Sequence, residues 1–256
     1  MRNLIFILLM VGSQAFGQSY TAIHVIGKIY LPSKQEYLKR GTKLSESEKI
    51  EFQSSDAKAA MLSSSRGRYV IQPGPKNTSS DNLAFALGSI ITPVKGQMST
   101  RSGSINNALD FQKQLGESPV AWLNEKMSLN VSETSYPIDE NRFFYMAYSY
   151  NGEVINKKLS NDGQSLQFIK SEVFKVDDQP IEASKVNGME LYYYDLDKGE
   201  ASLMTAPQLI AVSSDQLIEL QASLSEESPE ALLEFINSLY GRCSQEQLDA
   251  AISSLK

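Results

Sequence analysis

The chain has 256 residues with 24 basic and 30 acidic side chains, a net charge of −6. That balance disfavours wide contact with phosphate backbones, which recruit basic surfaces by counterion release, so nucleic acid is not an expected partner. One histidine and one cysteine cannot fill a zinc centre or form a disulfide within the chain, and no cofactor is expected.

The chain opens with the three features of an export signal. Arg2 supplies a positive charge, residues 4–11 an apolar run, and Ala15-Phe16-Gly17 the small-x-small pattern of a cleavage site. These predict a signal peptide at 1–17 and a mature start at Gln18. The run is half the roughly 20 residues that a membrane-spanning helix needs, so no transmembrane segment is expected in the mature chain. Cys243 lies far from the cleavage region, which leaves no site there for a lipid anchor. The expected location is the periplasm or the medium.

Residues 18–73 read as a β module. Between 22 and 31, Ile23, Val25, Gly27, Ile29 and Leu31 alternate with other residues at the period of a half-buried strand. Further strands are expected at 50–53, 57–62 and 68–72, separated by the turn-forming clusters 54–56 and 63–67.

Within this module, Ile26-Gly27-Lys28-Ile29, Leu38-Lys39-Arg40-Gly41-Thr42-Lys43-Leu44, Ile50-Glu51-Phe52, Ala57-Lys58-Ala59-Ala60-Met61 and Gly67-Arg68-Tyr69-Val70-Ile71 resemble the FecR-type periplasmic β domain. The resemblance covers residues 21–73. It implies a small β-sandwich or barrel-like fold used for protein contact in a bacterial envelope. FecR regulators pass a signal through a transmembrane helix to a cytoplasmic sigma factor; a cleavable signal stands here in place of that helix, so this role is not carried over.

Two prolines, a glycine and polar residues across 72–82 mark a linker, placed at 74–82. The segment 83–212 is expected to be a second, antiparallel β domain with short helices. Its clearest element is a hairpin, 143–150 and 153–159 around Asn151-Gly152, because Asn-Gly readily takes the positive φ angles of a type I′ turn. Asn161-Asp162-Gly163 and Asn187-Gly188 are expected to turn the chain into strands at 166–174 and 190–195, the latter partnered by 200–205.

From 213 to 256 the period changes. Leu217, Leu220 and Leu224, then Leu232, Phe235, Ile236 and Leu239, then Leu248, Ala251, Ile252 and Leu255 stand at helical spacing. Ser228-Pro229 reads as a helix start, Gly241 as a stop, and Ser244 with Gln247 as a capping box. The expected fold class is thus mainly β with a C-terminal α-helical segment (α+β): a small β-sandwich or barrel-like module followed by a second antiparallel β domain.

Chemistry narrows by elimination. Nucleophilic catalysis usually needs a histidine base, and His24 sits inside the first predicted strand with no Gly-x-Ser-x-Gly elbow elsewhere. Residues 195–200 (DLDKGE) bring glycine one position too early for a calcium loop and read as a turn. Glu133, Asp139, Glu140 and Asp162 fall near turns, where acidic side chains are usually solvated. Aromatic density stands out at 143–150 and 192–194, and alternation along a strand must send some rings outward. Candidate binding residues are Tyr148, Tyr150 and Tyr193, with Arg101 as a guanidinium fork for a carboxylate. The expected function is an exported, non-enzymatic module of the bacterial envelope that contacts a protein or glycan through a β surface. Two alternatives stand beside it, a hydrolase using acidic residues and a subunit that docks a larger complex through its C-terminal helices. Mass spectrometry of the protein recovered outside the cytoplasm should find Gln18 as its first residue; an intact Met1 on that protein would contradict the export reading.

Overall fold

The computed structural model describes residues 19–63, 67–73, 81–82, 104–163, 165–224 and 229–255. The expected signal peptide, residues 74–80 of the linker, Arg101 and Ser228 lie outside them. The chain is mainly β, with several antiparallel sheets and helices at its C-terminal end. It divides into two compact units, residues 1–90 and 91–256.

Among the described residues the first unit contains eight short strands: β1 (Ser19–Ile26), β2 (Ile29–Leu31), β3 (Glu36–Tyr37), β4 (Lys43–Ser45), β5 (Lys49–Phe52), β6 (Lys58–Ser63), β7 (Gly67–Ile71) and β8 (Asp81–Asn82). They form two four-stranded sheets, ordered β4-β1-β6-β7 and β3-β2-β5-β8. Both sheets contribute to one core: Tyr20, Ala22, Met61 and Tyr69 come from the first, and Ile29, Leu31 and Ile50 from the second. The expected linker therefore ends in a strand, since β8 pairs antiparallel with β5.

The single strand expected at 22–31 is divided between those sheets. Gly27 breaks it at a φ of +66°, and a Cβ there would lie 2.4 Å from Ser54 Oγ and 2.9 Å from Ala57 Cα, a turn that only glycine fits. Alternation also fails before the break. The register of β1 against β6 shifts between Ala22 and His24, so Ile23 and His24 are both buried, as a bulge requires.

Among the described residues, the first helical element of the second unit is a turn, α1 (Ala108–Phe111), capped by Asn107 and continued as a wider turn over Gln112–Gly116. Then follow β9 (Val120–Trp122), β10 (Lys126–Asn130), β11 (Arg142–Tyr150), β12 (Glu153–Lys158), β13 (Ser160–Asn161), β14 (Ser165–Ile169), α2 (Lys170–Val173), β15 (Lys175–Val176), β16 (Gln179–Pro180), β17 (Asn187–Asp195), β18 (Glu200–Thr205) and β19 (Leu209–Ala211). The largest sheet is antiparallel in the order β12-β11-β17-β18, and a three-stranded sheet runs β10-β14-β13. The Asn-Gly hairpin forms as expected, with Asn151 and Gly152 at φ +52° and +85°. The strand expected at 166–174 stops at Ile169, and the chain turns into α2.

Three helices close the unit: α3 (Ser214–Ser223), α4 (Pro229–Leu239) and α5 (Gln245–Ser254). Ser244 and Gln247 make the expected capping box, and Ser213 with Gln216 makes a second at the start of α3. The helices are tied into the β region by β9. Its one side pairs parallel with β19, and its other side bonds to the residue after Gly241: Ala121 N–H donates to Arg242 O at 3.0 Å and Arg242 N–H to Pro119 O at 2.8 Å.

That join requires glycine at 241. Its φ is +111°, and a Cβ would meet Pro119 O at 2.4 Å and Pro119 C at 2.5 Å, a backbone collision rather than a movable side chain. Gly241→Ala is expected to cost about 3 kcal/mol or more. Gly152→Ala, also at positive φ but with open space around it, should cost only about 1–2 kcal/mol. Urea unfolding of the two variants separates them; equal losses would mean that the approach to Pro119 carries no energy of its own.

Candidate functional site

The four-stranded sheet of the second unit has two unlike faces. Cross-strand register sets Phe144 opposite Tyr193 and Met146 opposite Leu191, and this side faces the core. Phe144 and Tyr193 have ring centroids 4.9 Å apart and are joined by Tyr136 and Phe111 in one aromatic cluster.

Tyr148 lies on the same inner side, 2% exposed, with its hydroxyl donating to Val173 O at 2.6 Å. The hydroxyl of Tyr193 donates to Pro137 O at 2.7 Å, and Tyr150 packs against the core. The expectation that these three present a binding surface is therefore corrected. Residues at even numbers along β11 point inward because Phe144 and Met146 must, and the period of two carries Tyr148 and Tyr150 with them. The hydroxyls of Tyr148 and Tyr193 each find a backbone acceptor, which offsets the penalty of turning them inward.

The outer side carries the other half of the aromatic run. Phe143 sits opposite Tyr194, and Tyr145 opposite Tyr192. Tyr145 and Tyr192 are stacked, 5.1 Å between centroids and 8° between planes, while Phe143 and Tyr194 lie 5.5 Å apart. Lys158, opposite Tyr145 on β12, places its Nζ 4.2 Å from the centre of the Phe143 ring, a cation–π contact. The Tyr192 hydroxyl donates to Glu190 Oε2 at 2.8 Å. On β18 Leu203, opposite Tyr192, is 50% exposed; Val154 on β12 is 72% exposed but stands opposite Ser149, away from the rings. The result is a partly exposed aromatic and aliphatic face bordered by Lys158 and Glu190.

A second feature of the unit is a cleft of about 680 Å³. Its walls come from the β9–β10 turn, α2, the turn at Glu182–Ser184, the β19–α3 junction and the end of α5. Lys170 stands in it with Nζ donating to Leu123 O and to Val212 O, both at 2.8 Å. The ammonium thus joins the ends of β9 and β19. Glu125 lies beside it and is held by the Ser171 N–H, which donates to Glu125 Oε1 at 2.9 Å.

The remaining polar candidates have structural work. Asp139 accepts from the backbone N–H groups of Asn141 and Arg142 and from the Arg142 guanidinium, and the Arg142 bond holds its carboxyl below the usual carboxylate range. Asp162 accepts from Ser165 N–H and from Gln167 Nε2. The segment 195–200 is the turn between β17 and β18, closed by an Asp195–Lys198 ion pair of 3.0 Å. His24 is buried in β1, and Cys243 is buried between α4 and α5 with its thiol pushed up to about 12 by burial, which suits a packing role rather than a reactive one. Leu232, Phe235, Ile236 and Leu239 are at most 6% exposed, so the apolar stripe that helix docking would need is used within the fold. Among the described residues no cluster of three or more acidic, histidine or cysteine side chains could hold a metal, and no helix is long and apolar enough to cross a membrane.

Burial draws the Lys170 ammonium down to about 8 from an ordinary 10.5, with Glu125 pulling the other way. Between about pH 8 and 10.5 the unfolded chain then holds more protons than the folded one, so stability linked to this residue rises with pH across that window. Urea unfolding should show the wild type gaining stability relative to Lys170→Met from pH 8 to 10.5; a constant difference would mean that the ammonium is not desolvated. Comparison with protein-family models, curated proteins and solved structures finds no match for the chain.

Proposed function

We propose that the protein is an exported, non-enzymatic contact module of the bacterial envelope, and that the outer face of the β12-β11-β17-β18 sheet binds a protein partner. The observation that carries this reading is the ring stack of Phe143, Tyr145, Tyr192 and Tyr194, with Lys158 opposite Tyr145 on one flank and the exposed Leu203 opposite Tyr192 on the other. Tyrosines in rigid, mutually packed positions lose little side-chain entropy on binding and bring both apolar area and a hydrogen-bonding hydroxyl, which is why they recur at protein interfaces. Contiguous apolar surface on a sheet face, bordered by charge, is the general mark of such a site.

The ring geometry favours protein over glycan. A sugar stacks flat on an aromatic face, and one face each of Tyr145, Tyr192 and Phe143 is already taken, by the other tyrosine or by Lys158. Ring edges, hydroxyl groups and the Leu203 side chain opposite Tyr192 suit the irregular surface of a protein. The export signal and the resemblance of residues 21–73 to an envelope domain support the location.

The test is cross-linking of the exported protein in its native host, comparing the wild type with a Tyr145→Ser, Tyr192→Ser double variant. The variant should lose the wild type's cross-linked partner while keeping its circular dichroism spectrum and losing no more than about 2 kcal/mol of stability, in line with cross-strand aromatic pairs. Retention of the same partner at wild-type yield would refute the assignment, and binding to purified envelope glycan with no protein partner would transfer the face to glycan recognition.

A further inference from the structure

The Lys170 cleft is a separate feature from the aromatic face and has properties that its clamp role does not use. An ammonium has three donors in tetrahedral array. Two are spent on Leu123 O and Val212 O, and the third has no acceptor among the described residues. Leu123, Val212 and Lys170 all line the cleft, so the ammonium sits between two of its walls. The volume of about 680 Å³ falls within the range of small-molecule sites, which combine apolar walls with a few fixed polar groups. Leu123, Phe174, Val212, Leu217 and Leu255 supply the apolar part.

We propose that this cleft binds a small monocarboxylate with an apolar body, its carboxylate accepting the third Lys170 hydrogen and its chain lying against Leu217 and Leu255. An anionic acceptor is favoured because a hydrogen bond between two charged groups is about twice as strong as a neutral one. One negative charge is the limit, since Glu125 and Glu182 also stand in the walls and would repel a second. Glu125 is held by the Ser171 N–H and Glu182 by Lys185 at 2.8 Å, so both stay in place when a ligand enters. The ammonium is fixed by its two carbonyls before binding, so little conformational freedom is lost in forming the third bond.

Octanoate is the probe, with octanol as its uncharged counterpart, each titrated into the mature protein by calorimetry and by NMR of the lysine side chains. Octanoate should bind at the cleft, raise the Lys170 pKa and bind at least about tenfold more tightly than octanol. Lys170→Met should weaken octanoate at least about tenfold. Because that variant also loses a backbone clamp, Ser254→Trp provides an independent check. Ser254 is an exposed wall residue, so the indole should obstruct the cleft, leave Lys170 intact and abolish octanoate binding without lowering the melting temperature. Equal binding by the wild type and Ser254→Trp, equal affinity for octanol, or no octanoate binding by the wild type would each overturn the proposal.

Discussion

The second unit depends on three consecutive residues having both of their edges paired. β9 takes β19 on one side and the chain around Arg242 on the other, and the Lys170 ammonium binds the carbonyls that follow β9 and β19. Buried backbone groups must find partners or cost free energy comparable to a lost hydrogen bond. Val120, Ala121 and Trp122 are all buried, so their amides and carbonyls leave few alternative arrangements. The β region, the C-terminal helices and the Lys170 cleft all take their positions from this short seam. Gly241 is part of the same constraint, because the second edge closes only if the backbone there touches Pro119.

The large sheet meets a different demand. Its aromatic run serves two faces at once: the inner rings pack against the core, and the hydroxyls of Tyr148 and Tyr193 find backbone acceptors. The outer rings have no core to enter, and they limit their contact with water by covering one another. The same ring contacts across the strands stabilise the pairing of β11 with β17.

Much of this was legible in the sequence where the signal was local. The Asn-Gly hairpin follows from the φ preferences of two residues, and the Ser244 capping box from a four-residue pattern that the helix end uses directly. Alternation correctly indicated that rings on β11 and β17 divide between two faces, but it did not say which parity is buried. That choice is made by partners outside the strand, Phe111 and Tyr136 above all, which pack against Phe144. Tyr148, Tyr150 and Tyr193 therefore belong to the inner side, and Phe143, Tyr145, Tyr192 and Tyr194 to the outer. Lys170 gave no signal at all. An isolated lysine after a strand looks like a solvated charge, and its role depends on carbonyls 47 and 42 positions away. The break at Gly27 could have been suspected, since glycine within an alternating run often marks a bend, yet the close approach of Ala57 that demands it is tertiary.

The parallel pairing of β9 with β19 joins segments nearly ninety residues apart, and Arg242 is further away still. A ribosome makes Val120–Trp122 long before either neighbour exists. In the interval this segment is an apolar edge able to recruit any passing strand, including the same segment of another copy. The first unit has no such delay, because β1 finds β4 and β6 within about forty residues of synthesis. A chain cut short before position 242 would keep the first core but leave that edge open permanently, so its fate would be association with other chains rather than a smaller version of the same fold.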